Sequence, residues 1–103
     1  MSKNINKLIK QAQKVQAQMM KAQEDLQKKE VEGSAGGGMV KVVLNGANQL
    51  VSIKIDPEVV DPKDVEMLED LIVAAHSNAM EKIKEISEST FGSITSGMSL
   101  PGL

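Results

Sequence analysis

The first 29 residues contain no glycine and no proline, and they are rich in lysine, glutamine, alanine and methionine, which favour helices. Their apolar side chains recur at alternating intervals of three and four residues, which is a heptad spacing. These apolar positions are Ile5, Leu8, Ala12, Val15, Met19, Ala22 and Leu26. A helix of this length is a rod of roughly 42 Å, too long for a small domain to cover along its whole length. The segment therefore predicts a long amphipathic helix that packs partly on its own sheet and partly on a partner chain.

A small sheet is predicted after this helix. Residues 39–44 and 50–55 have strand-like sequences, and Asn45-Gly46 between them is a strong turn signal. A two-stranded hairpin is only marginally stable by itself, so a third strand is needed. Residues 30–35 are the only nearby candidate for that strand, although this glycine-rich part of the chain is also consistent with a flexible linker.

A second helix is predicted after the sheet. Asp61 is a suitable N-cap, because Pro62 follows it at the first helical position and acidic residues occupy the first turn. The 103 residues suffice for one small domain and not for two. We therefore expect a single α+β domain over residues 1–91 with a long N-terminal helix, a three-stranded antiparallel sheet and a C-terminal helix. Its parts are a helical arm (1–29), the sheet (30–56) and the C-terminal helix (61–90), and residues 92–103 are expected to form a flexible tail.

The composition argues against catalytic and metal sites. There is no cysteine, which excludes a disulfide, a thiolate zinc site and a cysteine nucleophile. His76 is the single histidine, and its place beside the apolar face of the second helix is typical of a structural residue. Gly33 and Gly38 have the offset of a phosphate-binding loop, but Met39 stands where that loop requires lysine. We therefore expect no enzymatic activity, no metal, no cofactor and no small-molecule substrate.

Charge is divided unevenly along the chain. All 12 basic residues are lysines, and the net charge of the whole chain is −2. Residues 1–29 hold seven lysines against two acidic residues and carry +5, whereas residues 30–103 hold five lysines against twelve acidic residues and carry −7. The first acidic residue of the chain is Glu24. This segregation indicates that the N-terminal helix contacts a polyanion.

Six of these lysines lie on the side of the predicted helix that faces away from the apolar seam. This lysine row consists of Lys3, Lys7, Lys10, Lys14, Lys21 and Lys28. An ordinary solvated face would mix charges of both signs, whereas this one has no acidic residue before Glu24. The absence of arginine excludes bidentate guanine recognition by arginine, and the single aromatic residue, Phe91, makes base stacking a poor mode of binding. The row therefore predicts lysine–phosphate contacts with duplex DNA.

The chain also has segments that are typical of one protein family. They are residues 31–42, Asn45-Gly46, residues 53–57, residues 67–75, Asn78-Ala79 and residues 97–102. In these segments it resembles the YbaB/EbfC family of bacterial nucleoid-associated proteins. The resemblance implies a helix, a three-stranded antiparallel sheet and a C-terminal helix, joined in a tweezer-like homodimer. It further implies DNA binding in the nucleoid and a role in chromosome organisation or gene expression, while the lack of arginine argues against strong sequence specificity.

We therefore expect a homodimeric protein of the cytoplasm and nucleoid that binds double-stranded DNA through the lysine row. The apolar seam and the small core of the protomer motivate the dimer. The residues assigned to dimerisation are Ile5, Leu8, Val15, Met19, Val42 and Leu44. An alternative is a protein-interaction module that uses Ile9 and Met20 and does not bind DNA directly. No membrane partner is expected, because the row lacks aromatic anchors and no apolar run approaches 18 residues.

Overall fold

The computed structural model describes residues 2–97 of the chain, with side-chain burial over residues 4–94. The elements are helix α1 (Ser2–Lys28), strands β1 (Glu30–Ala35), β2 (Val40–Asn45) and β3 (Leu50–Ile55), a 3₁₀ turn (Pro57–Val59) and helix α2 (Val65–Gly97). The three strands form one antiparallel sheet in the order β1-β2-β3. The predicted helix–sheet–helix fold is confirmed, and residues 30–35 form a strand rather than a linker.

Two tight turns set the register of the sheet. Gly36, Gly37 and Gly38 join β1 to β2 with φ angles of 62°, 69° and 92°, a backbone region that favours glycine. In the second turn the Asn45 Oδ1 atom accepts hydrogen bonds from the amides of Ala47 and Gln49, at 2.9 and 3.0 Å. The glycine-rich segment is therefore a hairpin connection that leads into a strand, and it is not a phosphate-binding loop.

The core lies between α2 and one face of β1 and β2. Val40, Val42 and Leu44 alternate along β2 with more exposed residues and are fully buried against this helix. On α2 the core is completed by small and branched residues, Ala75, Ala79 and Ile83.

Gly33 of β1 lies directly beneath α2. A Cβ atom at Gly33 would overlap the Ala75 carbonyl oxygen and the Ala79 amide nitrogen, so the backbones of sheet and helix are in close contact there. This close contact at Gly33 allows α2 to pack directly on β1 and β2.

Helix α2 covers two residues that were predicted at a dimer interface. Val42 and Leu44 were assigned to dimerisation, but both are 0% exposed within a single protomer. Alternating polarity along β2 indicates which side chains point inward, and it does not say whether α2 or a second copy covers them. In the single protomer the cover is its own helix α2, and the role of Val42 and Leu44 in dimerisation stays a prediction.

Helix α2 differs from its predicted span at both ends. The helix begins at Val65, and the Asp64 Oδ1 atom accepts a hydrogen bond from the Met67 amide at 3.2 Å, so Asp64 is the N-cap. Asp61 instead stabilises the preceding turn by accepting from the Lys63 amide at 2.9 Å.

At the other end α2 continues to Gly97, through part of the segment expected to be a flexible tail. Ser93 and Ile94 of this stretch share a groove with α1, and this packing stabilises a segment whose intrinsic helix propensity is weak. The remainder of the predicted tail, residues 98–103, lies outside the described residues.

Candidate nucleic-acid interface

Helix α1 projects from the rest of the protein as an arm. The Cα radius of gyration is 20.5 Å, whereas a compact domain of this length has about 13 Å. The base of the arm packs on α2, where Ala22 and Leu26 are partly buried. Further out the apolar seam is open to solvent, with Ile5 58% and Leu8 60% exposed. The arm is thus anchored at its C-terminal end and free on all sides towards its N-terminus within the described part of the chain.

Helices α1 and α2 run antiparallel where they meet. Leu26 shares a groove with Ser87 and Glu88, and Gln18 shares a second groove of about 460 Å³ with Ser93. The C-terminal half of α2 therefore supports the arm, while its N-terminal half covers the sheet. The arm and the core consequently depend on the same long helix.

Gly46 holds the base of the arm against the second hairpin turn. Its amide donates to the Lys29 carbonyl at 2.9 Å, immediately after α1 ends. A Cβ atom at this position would overlap the Leu26 carbonyl group and lie 2.8 Å from Leu26 Cγ. Only glycine allows this approach, so Gly46 helps to set the angle at which the arm leaves the sheet.

The lysine row lies along the exposed surface of the arm. Lys7, Lys10, Lys14, Lys21 and Lys28 are all exposed, and Lys3 lies in α1 outside the residues with described side-chain burial. None of these five side chains forms an ion pair within the described part of the chain, where the one ion pair joins Lys41 to Glu32 at 3.9 Å. Acidic residues begin with Glu24 and Asp25 at the base of the arm. The outer arm therefore presents unneutralised ammonium groups to solvent.

The seam residues predicted to dimerise occupy the same arm on a different side. Ile5, Leu8 and Met19 are exposed, and Val15 is partly buried. Their role in dimerisation stays a prediction, because the structure contains one protomer.

The described residues contain no group of histidine and acidic side chains that could hold a metal ion. Nor does any helix in this part of the chain have the length and apolar character needed to cross a membrane. His76 is exposed and lies beside apolar residues of α2 and β3.

One apolar surface was not predicted from the sequence. It consists of Leu50 and Ile53 on β3 with Ile72, Val73 and His76 on α2, and we call it the β3–α2 surface. Leu50 and Val73 are 53% and 65% exposed. The signal that could have found it is the succession of apolar residues in β3, which gives that strand more apolar side chains than one covered face requires.

The fold and the arm define a small α-β₃-α domain that presents one lysine-rich helix to solvent. The chain belongs to the YbaB/EbfC DNA-binding family, whose model matches residues 1–98. This is a family of DNA-binding proteins and not of enzymes, and the resemblance noted in the sequence is confirmed.

Relatives and a solved structure agree with this assignment. The chain is 54% identical over 100 residues to a nucleoid-associated protein of Caldanaerobacter subterraneus subsp. tengcongensis, covering 97% of this chain and 90% of that protein. It is 52% identical over 99 residues to a nucleoid-associated protein of Bacillus thuringiensis, covering 96% and 91%. The crystal structure of an uncharacterised Helicobacter pylori protein has the same fold, with a TM-score of 0.73 at 20% identity over 85% of this chain and 92% of that one.

Proposed function

We propose that this chain is a nucleoid protein that binds duplex DNA as a homodimer, mainly through contacts between the lysine row and backbone phosphates. In this role it organises the chromosome or modulates gene expression. The observation that carries the proposal is the set of five exposed lysines without ion pairs on a helix that projects from the core. Membership in a DNA-binding family and the names of the nucleoid-associated relatives support it.

The chemistry of the arm favours backbone contact over base recognition. Lysine ammonium groups bind phosphate as point charges, whereas the bidentate fork that reads guanine belongs to arginine, which this chain lacks. Glutamines beside the row can donate to phosphate oxygens without adding charge. Binding should therefore depend steeply on salt and weakly on sequence.

The number of phosphate contacts can be measured from the salt dependence. If all six row lysines of both protomers contacted phosphates, about 12 contacts would give a slope of log K against log salt of about −11. Replacing Lys7, Lys10 and Lys14 by glutamine removes up to six of these contacts per dimer and should reduce the slope by up to about 5.

A matched variant distinguishes the effect of the lysine row from the effect of total charge. Replacing the exposed lysines Lys54, Lys63 and Lys84 by glutamine changes the net charge equally but leaves the arm intact. We expect this control to keep the wild-type slope in a titration of a labelled duplex between about 50 and 200 mM salt. If the salt slope fell equally in the two triple variants, the assignment of the arm as the contact surface would be contradicted.

A second candidate function is a protein-interaction module, favoured by the exposed apolar side chains Ile9 and Met20, which are 50% and 58% exposed. It predicts that duplex binding is absent at moderate salt and that the arm associates with an apolar partner. The same titration distinguishes the two functions, because the module would give no salt-dependent duplex binding to lose.

A further inference from the structure

The outer part of the arm carries an apolar surface that is open to solvent in the described part of the chain. We call it the outer seam, and it consists of Ile5, Leu8, Ala12 and Val15. Ile5 and Leu8 are 58% and 60% exposed, and Ile9 beside them is 50% exposed. The inner end of the same seam, at Ala22 and Leu26, is partly buried against α2. A continuous line of exposed apolar side chains of this kind marks an interaction site.

The side chains that flank the outer seam are uncharged. When two helices pair along such a seam, the flanking e and g positions of the heptad meet across the contact, and charges there decide which helices can pair. Between residues 4 and 18 these positions hold Asn4, Ile9, Gln11, Gln16 and Gln18. The lysine row lies further round the helix, at positions c and f. Two copies of the arm can therefore meet along the outer seam without bringing like charges together, and both lysine rows stay exposed.

The sizes of the seam residues favour an antiparallel register for such a pair. Two arms that place Leu8 opposite Ala12 also place Ile5 opposite Val15, so every layer combines a larger side chain with a smaller one. This overlap uses only the outer seam. A shift by one heptad towards the core would place Ile5 opposite Ala22, which is already packed against α2.

The antiparallel register also keeps the acidic parts of the two chains apart. Its centre lies at residue 10, so Glu24 of each arm is about 21 Å from the centre at 1.5 Å per residue. Helix α1 of the other copy begins at Ser2, about 12 Å from the centre on that side. Each core therefore lies beyond the end of the other arm.

We infer that the outer seam of one homodimer pairs with the outer seam of another, so that the arms link homodimers to one another. The inference rests on the homodimer of the proposed function and adds a contact beyond it. A twofold dimer needs one self-complementary patch, and this chain has two separate apolar patches, the outer seam and the β3–α2 surface.

The link between arms is a small contact. It has four layers, and each layer contains either alanine or valine on one side, whereas a stable interface buries about 800 Å² per partner. The link is therefore weak in the free protein and becomes effective where DNA holds homodimers at a high local concentration. Linked homodimers that each grip a duplex would hold separate DNA segments together, which is a physical means of organising a chromosome.

The absence of cysteine allows a site-specific cross-linking test. Gln11 flanks the outer seam and, in this register, lies near Gln11 of the second copy, whereas Gln13 is also exposed but lies away from the contact. On a duplex that holds several homodimers, a short bis-maleimide should cross-link Gln11→Cys at least about tenfold faster than Gln13→Cys. After nuclease digestion, the native mass of the product should be four times the 11.1 kDa of one chain. A product of only two chains, or equal rates for the two variants, would overturn the inference.

A substitution in the seam tests the same contact without a cross-linker. Leu8→Gln removes an apolar side chain from two of the four layers and leaves the charge of the arm unchanged. Met20→Gln is the matched control, since Met20 is 58% exposed but lies off the outer seam. In sedimentation over a range of protomer concentrations, wild type and Met20→Gln should approach four chains. Leu8→Gln should stay at two, with the dissociation constant of the link raised at least about tenfold.

The outcomes separate this inference from the proposed function. Because Leu8 is largely exposed, Leu8→Gln should keep the wild-type helix content in circular dichroism and the wild-type salt slope on a short duplex that holds one homodimer. If Leu8→Gln fell to single chains, the seam would be the contact within the homodimer and the inference would be wrong. Wild-type protein that binds duplex but never exceeds two chains contradicts only the link, and four-chain protein that binds no duplex contradicts only DNA binding.

Discussion

Replacing Gly33 by alanine should destabilise the fold far more than the size of one methyl group suggests. An added Cβ would lie 2.7 Å from the Ala79 Cβ atom and overlap backbone atoms of Ala75 and Ala79. Carbon atoms in contact are normally separated by about 3.5 to 4.0 Å, so helix and sheet must move apart by roughly 1 Å. The atoms that clash belong to a helix backbone and cannot rotate away.

The cost follows from what this separation does to the core. The same contact between helix and sheet buries Val40, Val42 and Leu44, and a gap of 0.5 to 1 Å removes about a quarter to a half of the dispersion energy across it. Overpacking typically costs about 1 to 3 kcal/mol. We expect a loss near or above the upper value, which for a domain of this size lowers the melting temperature by roughly 12 to 24 °C.

Two other glycines provide matched controls, because replacing one by alanine should lower the free energy of unfolding and replacing the other should raise it. Gly37 has a φ of +69° and no atom within 4 Å of an added Cβ, so Gly37→Ala should cost only about 1 to 2 kcal/mol through backbone strain. Gly92 lies inside α2 and also has no atom within 4 Å of an added Cβ. Gly92→Ala should therefore raise the free energy of unfolding by about 0.5 to 1 kcal/mol. The free energies of unfolding would come from urea titrations at one protomer concentration. A Gly33→Ala variant no less stable than Gly37→Ala would refute the close contact between helix and sheet.

Three further substitutions test other local features. Asp64→Ala should lower the free energy of unfolding by about 1 kcal/mol, since it removes the N-cap contact to Met67, and Asp64→Asn should restore most of that loss in a urea titration. Asn45→Ala should cost about 1 to 2 kcal/mol because three hydrogen bonds of the second hairpin turn disappear, whereas Asn45→Asp keeps the two accepted from backbone amides and should lose less. Gly46→Ala should displace the base of the arm from Leu26, so its small-angle scattering distance distribution should differ from wild type, and an unchanged distribution would contradict the role of Gly46.

Features that depend on neighbouring residues in the sequence were predictable. The uninterrupted heptad spacing predicted α1, and Asn45-Gly46 predicted the turn between β2 and β3. The lysine row was also predictable, because positions seven residues apart lie on one side of any helix. All of these follow from local geometry and need no knowledge of what packs against them.

Features that depend on packing were not predictable in the same way. Asp61 was predicted as the N-cap, but α2 starts after Asp64, whose side chain accepts from the Met67 amide. Gly92 and the serines near it favour the end of a helix, yet contact with α1 near Ala22 extends α2 to Gly97. The cover over Val42 and Leu44 is likewise a tertiary property, since alternation along a strand fixes a face and not its partner.

The separation of charge along the arm explains how a chain of net charge −2 can bind a polyanion. Lys14 lies ten residues before Glu24, which is about 15 Å along the helix, and Lys7 lies about 25 Å before it. The Debye length at 0.15 M salt is about 8 Å, so the acidic residues of the core are largely screened from the outer arm. Lys21 and Lys28 are each one helical turn from an acidic residue of α1 and are not screened from it. We therefore expect the outer lysines to contribute more to DNA affinity than those at the base, although all have the same formal charge.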